Sequence, residues 1–132
     1  MTTSYRELRR EVAAQGREVR ALVPAVYKGF AELSTAALSD GALDRKTKEL
    51  MALAISIVQH CDGCIAAHAS GAATAGATEA EVAEAIGVAI LMAGGPATVW
   101  GPRAMAAYNE FAAPAPAAEP LAPPTTTTTT TT

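Results

Sequence analysis

The sequence predicts an all-α protein. Half of its 132 residues are hydrophobic, and 32 are alanine, which favours helix and adds little apolar area to a core. Apolar residues recur at three- and four-residue steps, whereas no stretch shows the alternation or hairpin turns typical of strands. Because so lean a core is hard to stabilise in a small domain, we also expect the chain to form an oligomer.

The first two helices are predicted on either side of Pro24. Apolar residues between Tyr5 and Leu22 follow helical spacing and indicate the first helix. Pro24 suits the opening turn of the second helix, where a missing N–H costs nothing. Ser39-Asp40-Gly41 ends this helix, whose expected apolar face consists of Val26, Phe30, Leu33 and Ala37.

The third and fourth helices are predicted around a break in the middle of the chain. Asp44 is the expected N-cap of the third helix, in which Leu50 to Val58 is apolar nearly all round. Such a helix is expected to be buried on every side, in part by a neighbouring subunit. Cys61-Asp62-Gly63 breaks the chain, and the fourth helix is expected from there to about Ala75.

Local signals also predict the last two helices. Thr78 and Glu81 have the spacing of a capping box at the start of the fifth. Gly94-Gly95-Pro96 ends that helix and begins the sixth. An aromatic stripe on the sixth helix is interpreted as packing rather than as a ligand site; it consists of Trp100, Ala104, Tyr108 and Phe111.

Composition divides the chain into one domain and a tail. We predict a single helical domain over residues 1–112 and a disordered Pro/Ala/Thr-rich tail over 113–132. A net charge of −3 gives no electrostatic signature of nucleic acid or an acidic membrane as a partner. No run is long enough to span a bilayer, and the charged N-terminal stretch does not resemble a secretory signal. A cytoplasmic location is therefore expected.

The chemistry is expected at a C-x-x-C pair, Cys61 and Cys64. If Cys64 lies in the first turn of a helix, the helix dipole favours its thiolate. His68 follows four residues later on the same face, so its imidazole can take the thiol proton. Cys61 can then attack a sulfenic acid on Cys64 and form a disulfide.

Other interpretations of the pair remain open from the residues alone. Cys61, Cys64 and His68 could bind zinc, but a fourth ligand would have to come from Asp62 or from another subunit. The two cysteines could also be small buried hydrophobic residues. A thioredoxin fold fits poorly, because the motif follows a helical pattern and no βαβ unit is present.

At this point the chain resembles the alkylhydroperoxidase-D-like, carboxymuconolactone decarboxylase family over residues 43–95. The resemblance rests on L-D-R-K-T-K-E-L, on the E-x11-C-x2-C-x3-H spacing, on G-A-T-E-A-E-V-A-E-A-I and on the Gly-Gly-Pro stop. It implies an all-helical subunit with a central helical hairpin that assembles as a homo-trimer or homo-hexamer. It also implies thiol-dependent reduction of small hydroperoxides.

The same resemblance implies roles for four residues. Cys64 is the peroxide-attacking thiol, Cys61 is the resolving thiol, and His68 and Glu49 form a proton relay. No cofactor is expected beyond the redox-active Cys61–Cys64 disulfide. An external dithiol reduces this disulfide, and in the best-known members that dithiol is a lipoyl group on a carrier protein.

Three points stay open. Twelve residues of straight helix span about 18 Å, so Glu49 can reach His68 only if the chain folds back sharply near Asp62, or else it meets a histidine of another subunit. Asp62-Gly63 stands where established peroxidases of the family have a histidine, and this departure could slow turnover or favour disulfide exchange. The alternatives are a decarboxylase-type lyase using His68 and Glu49, or a non-enzymatic redox-responsive or metal-binding assembly protein.

Overall fold

The computed structural model describes residues 4–114, which form six helices and no strand. The predicted fold class is confirmed, and most of the predicted tail lies outside the described residues. The helices are α1 (Tyr5–Leu22), α2 (Pro24–Leu38), α3 (Arg45–Val58), α4 (Asp62–Thr74), α5 (Glu79–Ala93) and α6 (Gly95–Ala112).

Short-range hydrogen bonds explain where the helices begin. Asp44 caps α3 by accepting from the backbone N–H of Thr47 at 2.8 Å. At α5 the predicted capping box is confirmed: Glu81 N–H donates to the Thr78 hydroxyl at 3.2 Å, and Thr78 N–H donates to the Glu81 carboxylate at 3.0 Å. Pro24 occupies the first turn of α2, as the sequence predicts.

The core lies among α3, α4, α5 and α6. Its largest fully buried side chains are Leu53, Ile57, Ile65 and Val82. Alanines fill most of the remaining core and allow the helices to approach closely. At Gly101 of α6, an added Cβ would lie only 2.6 Å from the Ile86 side chain of α5, so a larger residue would force a shift between these two helices. Ala104 and Tyr108 are buried while Trp100 and Phe111 pack against the core, which confirms the stripe as packing.

Within one chain, α3 is not buried on every side. Met51, Ile55 and Val58 are each about half exposed, because no helix within residues 4–114 covers that face. Burial of this face by a neighbouring subunit stays a prediction. The expected apolar face of α2 is also uncovered, since Val26, Phe30 and Leu33 are all more than 60% exposed. Within residues 4–114, no helix is both long enough and apolar enough to cross a membrane.

Candidate active site

The chain reverses direction between α3 and α4 in a turn of three residues, Gln59 to Cys61. Cys61 N–H donates to the Ser56 carbonyl at 3.1 Å, so the end of α3 holds the residue that starts α4. Cys61 is in turn the N-cap of α4 and accepts a hydrogen bond from Cys64 N–H on its sulfur, at 3.2 Å. The first cysteine of the motif therefore links the end of α3 to the start of α4.

Cys61 and Cys64 are joined as a disulfide, with their Cα atoms 5.2 Å apart. Both residues are half-buried, so the bond lies at the surface and not in the core. Cys64 occupies the first turn of α4, the position expected from the sequence. In that turn the backbone N–H groups and the helix dipole favour a thiolate once the disulfide is reduced.

The turn brings α4 back along α3 and places His68 beside Glu49. Nδ1 of His68 lies 2.9 Å from a carboxylate oxygen of Glu49. The Glu49 side chain is 3% exposed, whereas that of His68 is 28% exposed. Of the two routes left open by the sequence, the structure gives the fold-back within one chain. The roles of both residues remain predictions.

Two further residues shape the surroundings of Glu49. The Arg45 guanidinium lies 3.6 Å from the second carboxylate oxygen, and the arginine side chain is 60% exposed. Gly71 of α4 faces the same carboxyl so closely that an added Cβ would overlap it. Sequence reasoning missed Gly71, although its position three residues after His68 puts it on the same helix face.

Helix α1 lies against the start of α4. A Cβ added to Gly63 would be 3.8 Å from the Val12 side chain, and the Arg9 guanidinium donates to the Ser70 hydroxyl at 2.9 Å. The pKa of Tyr5 is raised, first by burial and then by the nearby Asp62 carboxylate. The cysteine turn is therefore flanked by α1 on one side and by α3 on another.

The contact with Glu49 engages one of the two ring nitrogens of His68. Which atom donates in this contact depends on the histidine tautomer. If Nδ1 donates to the Glu49 carboxylate, Nε2 is left for proton exchange. Within residues 4–114, every buried side-chain nitrogen or oxygen has a hydrogen-bond partner. In the same part of the chain, no group of three or more His, Cys, Asp and Glu side chains is placed to hold a metal ion.

Comparison with known protein families shows to which family the chain belongs. The sequence profile of the carboxymuconolactone decarboxylase family matches residues 24–113. The chain belongs to the carboxymuconolactone decarboxylase family. The resemblance drawn from the motifs is thereby confirmed, and the matched region contains all four candidate residues, Glu49, Cys61, Cys64 and His68.

The chain is similar to uncharacterized proteins of two bacteria. The chain is 40% identical over 99 residues to an uncharacterized protein in the cox locus of Paracoccus denitrificans, which covers 75% of this chain and 88% of that relative. It is 32% identical over 109 residues to an uncharacterized protein of Cupriavidus necator, covering 83% of this chain and 96% of the relative.

Solved structures agree with this family membership. A carboxymuconolactone decarboxylase family protein from Legionella pneumophila, solved in its apo form, superposes with a TM-score of 0.79 at 36% identity, covering 83% of this chain and 97% of that one. A protein of Thermotoga maritima gives a TM-score of 0.60 at 34% identity and covers 80% and 86% of the two chains.

Proposed function

We propose that this family member is a thiol-dependent oxidoreductase that reduces small organic hydroperoxides through Cys61 and Cys64. One observation carries the proposal: the cysteine pair stands at the start of the helix on which His68 is hydrogen-bonded to the buried Glu49. A redox-active sulfur pair and a base oriented by a carboxylate are the two parts that such chemistry requires.

The reaction begins at Cys64 in the reduced protein. Its thiolate attacks one peroxide oxygen, the O–O bond breaks, and the alkoxide leaves as an alcohol after taking a proton. Cys64 is now a sulfenic acid. The Cys61 sulfur attacks it, an S–S bond replaces the S–O bond, and the oxygen leaves as water. Two electrons pass from the two thiols to the peroxide.

His68 and Glu49 manage the protons in this scheme. Nε2 of His68 accepts the Cys64 proton and returns it to the leaving oxygen. Glu49 holds the imidazole through Nδ1 and stabilises its protonated form, in the manner of a carboxylate that orients a catalytic histidine. Arg45 occupies the other carboxylate oxygen and so favours the orientation in which the first oxygen faces His68.

Turnover requires an external reductant. The disulfide lies at the half-buried turn between α3 and α4, where a dithiol can approach it. We propose a dithiol such as a lipoyl group on a carrier protein, acting in the cytoplasm. The uncovered apolar faces of α2 and α3 support a homo-oligomer, for which the family resemblance suggests a trimer or a hexamer.

Steady-state turnover tests the proposal. Purified protein is mixed with cumene hydroperoxide and dihydrolipoamide, and peroxide loss is followed. We expect turnover by the wild type, none by Cys64→Ser, and a rate lowered by about a hundredfold or more in His68→Ala, because general acid–base catalysis is lost. Equal peroxide loss in wild type and Cys64→Ser would contradict the proposal. Activity on a carboxylactone that survives alkylation of both thiols would instead support a lyase.

A further inference from the structure

The residue directly before Cys61 has an uncommon backbone conformation. His60 has a φ of 54°, in the left-handed region. Its N–H donates to the Ile57 carbonyl at 3.2 Å, and Cys61 N–H donates to the Ser56 carbonyl at 3.1 Å. These two bonds form a Schellman motif, in which the left-handed residue is usually glycine. A histidine here costs free energy, so contacts around it must maintain the turn.

The His60 ring provides such a contact. Its imidazole stacks on the Trp100 indole, with ring centroids 4.8 Å apart and planes 4° from parallel. The Arg103 guanidinium also lies over this indole, 4.2 Å from its centroid. Trp100 stands on α6, and its neighbour Gly101 fits tightly against Ile86 in the core. The stack therefore ties the turn to a helix that is itself held in the core.

We propose that His60 is a positioning residue for Cys61: its stacking on Trp100 holds the left-handed turn that places the Cys61 sulfur next to Cys64. The inference rests on the redox role in the proposed function. Cys61 follows His60 directly and is the N-cap of α4, so a change in the His60 backbone moves the Cys61 side chain. Trp100 acts on the sulfur only through His60.

The stacking of His60 on Trp100 is expected to affect how readily the disulfide closes. Closure forms the S–S bond from the Cys61 and Cys64 sulfurs, and it is faster and more favourable when the reduced chain already holds them close together. Against glutathione, closure oxidises the two protein thiols and reduces one glutathione disulfide to two glutathione thiols. The equilibrium of this exchange gives the effective concentration of one thiol at the other, and it involves no peroxide.

Two substitutions test the contribution of the His60 ring separately from that of its backbone conformation. His60→Asn keeps a residue that tolerates the left-handed region but removes the ring. Trp100→Leu removes the platform and leaves His60 in place. We expect each to lower the effective concentration by about twofold to tenfold, the range that an aromatic pair supplies. A tenfold loss corresponds to about 30 mV in the reduction potential. The double variant is expected to lose no more than either single one, because both remove the same contact.

Two controls complete the glutathione experiment. Gly76→Asn places asparagine at another left-handed position, φ 83°, after the end of α4, and is expected to leave the equilibrium unchanged. Trp100→Phe keeps an aromatic platform and is expected to lie close to wild type. If Trp100→Leu does not fold, His60→Asn removes the same contact and carries the test. Circular dichroism checks the helix content of each variant.

The outcomes distinguish this inference from the proposed function. A wild-type equilibrium in His60→Asn, or losses that add in the double variant, would overturn the role of His60. If the variants shift the glutathione equilibrium as expected but the wild type consumes no hydroperoxide, His60 keeps its role and only the peroxidase activity is withdrawn. If the wild type consumes hydroperoxide but the variants do not shift the glutathione equilibrium, the peroxidase activity stands and the role of His60 is withdrawn.

Discussion

Glu49 is a carboxylate in an almost closed environment. Burying an ionised group is costly unless charged or hydrogen-bonding partners compensate it. Here His68 and Arg45 each approach a different oxygen, at 2.9 and 3.6 Å. Gly71 leaves the space that the carboxyl occupies. The position of the proposed proton relay thus depends on a residue that has no side chain.

Gly71→Ala tests this dependence. The added methyl group overlaps the Glu49 carboxyl, which must move and thereby lengthen its contact with His68. We expect Cys64 of the reduced protein to react with iodoacetamide about threefold more slowly or worse at neutral pH, because His68 becomes a weaker base. The measurement is the alkylation rate as a function of pH.

Gly87→Ala is the matched control for that substitution. Gly87 lies in α5, where an added Cβ meets open space, so this variant makes the same chemical change without the overlap. We expect it to react at the wild-type rate. Equal alkylation rates for Gly71→Ala and Gly87→Ala would contradict the importance of the Glu49 position.

The spacing of individual residues along the chain predicts only part of the candidate site. Cys61, Cys64 and His68 lie within eight residues, so helix geometry alone puts the last two on one face. The contact of Glu49 with His68 depends on the direction of a three-residue turn, which helical periodicity does not encode. Gly71 depends on the distance between two helices, which is set by packing in the whole core.

Among the elements, α1 is held in an unusual way. None of its residues is buried, yet its first turn is fixed to α6 by the Glu110 carboxylate. This carboxylate accepts from the backbone N–H groups of Tyr5 and Arg6, at 2.9 and 3.0 Å, and from the Ser4 hydroxyl. Burial raises the pKa of Glu110, but the hydrogen bonds from Ser4, Arg6 and Tyr5 outweigh it and hold the pKa below its usual value.

This shift predicts that acid releases α1. Because the folded pKa is lowered, the carboxylate stabilises the folded state above its ordinary pKa of 4.5, and that contribution is lost as the pH falls towards the lower folded value. We expect α1 amides to lose hydrogen-exchange protection in this range before the α3–α6 core does. The measurement is exchange followed by mass spectrometry, corrected for intrinsic rates.

Glu110→Gln is the control for acid release. It keeps the shape of the side chain but cannot titrate, so we expect weaker protection of α1 at neutral pH and little further change in acid. Wild-type protection of α1 that persists until the core itself unfolds would show that Glu110 does not fasten this helix.

The sequence predicts where α2, α3 and α5 begin, because the residues that start these helices act locally. Pro24, Asp44 and the Thr78–Glu81 box each act within one turn, and the helices begin at the positions those residues indicate. The attachment of α1 through Glu110 joins residues more than a hundred positions apart. No pattern of short period carries that information, so it required the structure.

Large hydrophobic side chains lie exposed at many places on the surface of residues 4–114. Large hydrophobic side chains that are at least 40% exposed occur on every helix except α4. Contiguous exposed apolar surface typically marks an interface. The strongest cases are Leu22, Val26, Phe30, Leu33, Leu91 and Met92, all more than 60% exposed.

Phe30→Glu tests whether this surface joins copies of the chain. A charge buried in an apolar interface is costly, so we expect the variant to dissociate. Thr35→Glu, on the same helix but rotated away from Phe30, is expected to keep the wild-type assembly. Sedimentation velocity gives the mass, to be compared with multiples of the 13.4 kDa chain. A monomeric wild type would contradict the predicted oligomer.

A thiol titration after a single equivalent of hydroperoxide tests whether peroxide oxidises Cys64 and whether Cys61 then closes the disulfide. Fully reduced, metal-free wild type and Cys64→Ser are mixed with one equivalent of cumene hydroperoxide, and free thiols are counted over time. We expect the wild type to lose the thiols of Cys61 and Cys64 rapidly, while Cys61 of the variant stays reduced. Persistence of both wild-type thiols over minutes would contradict this expectation and direct attention to lyase chemistry.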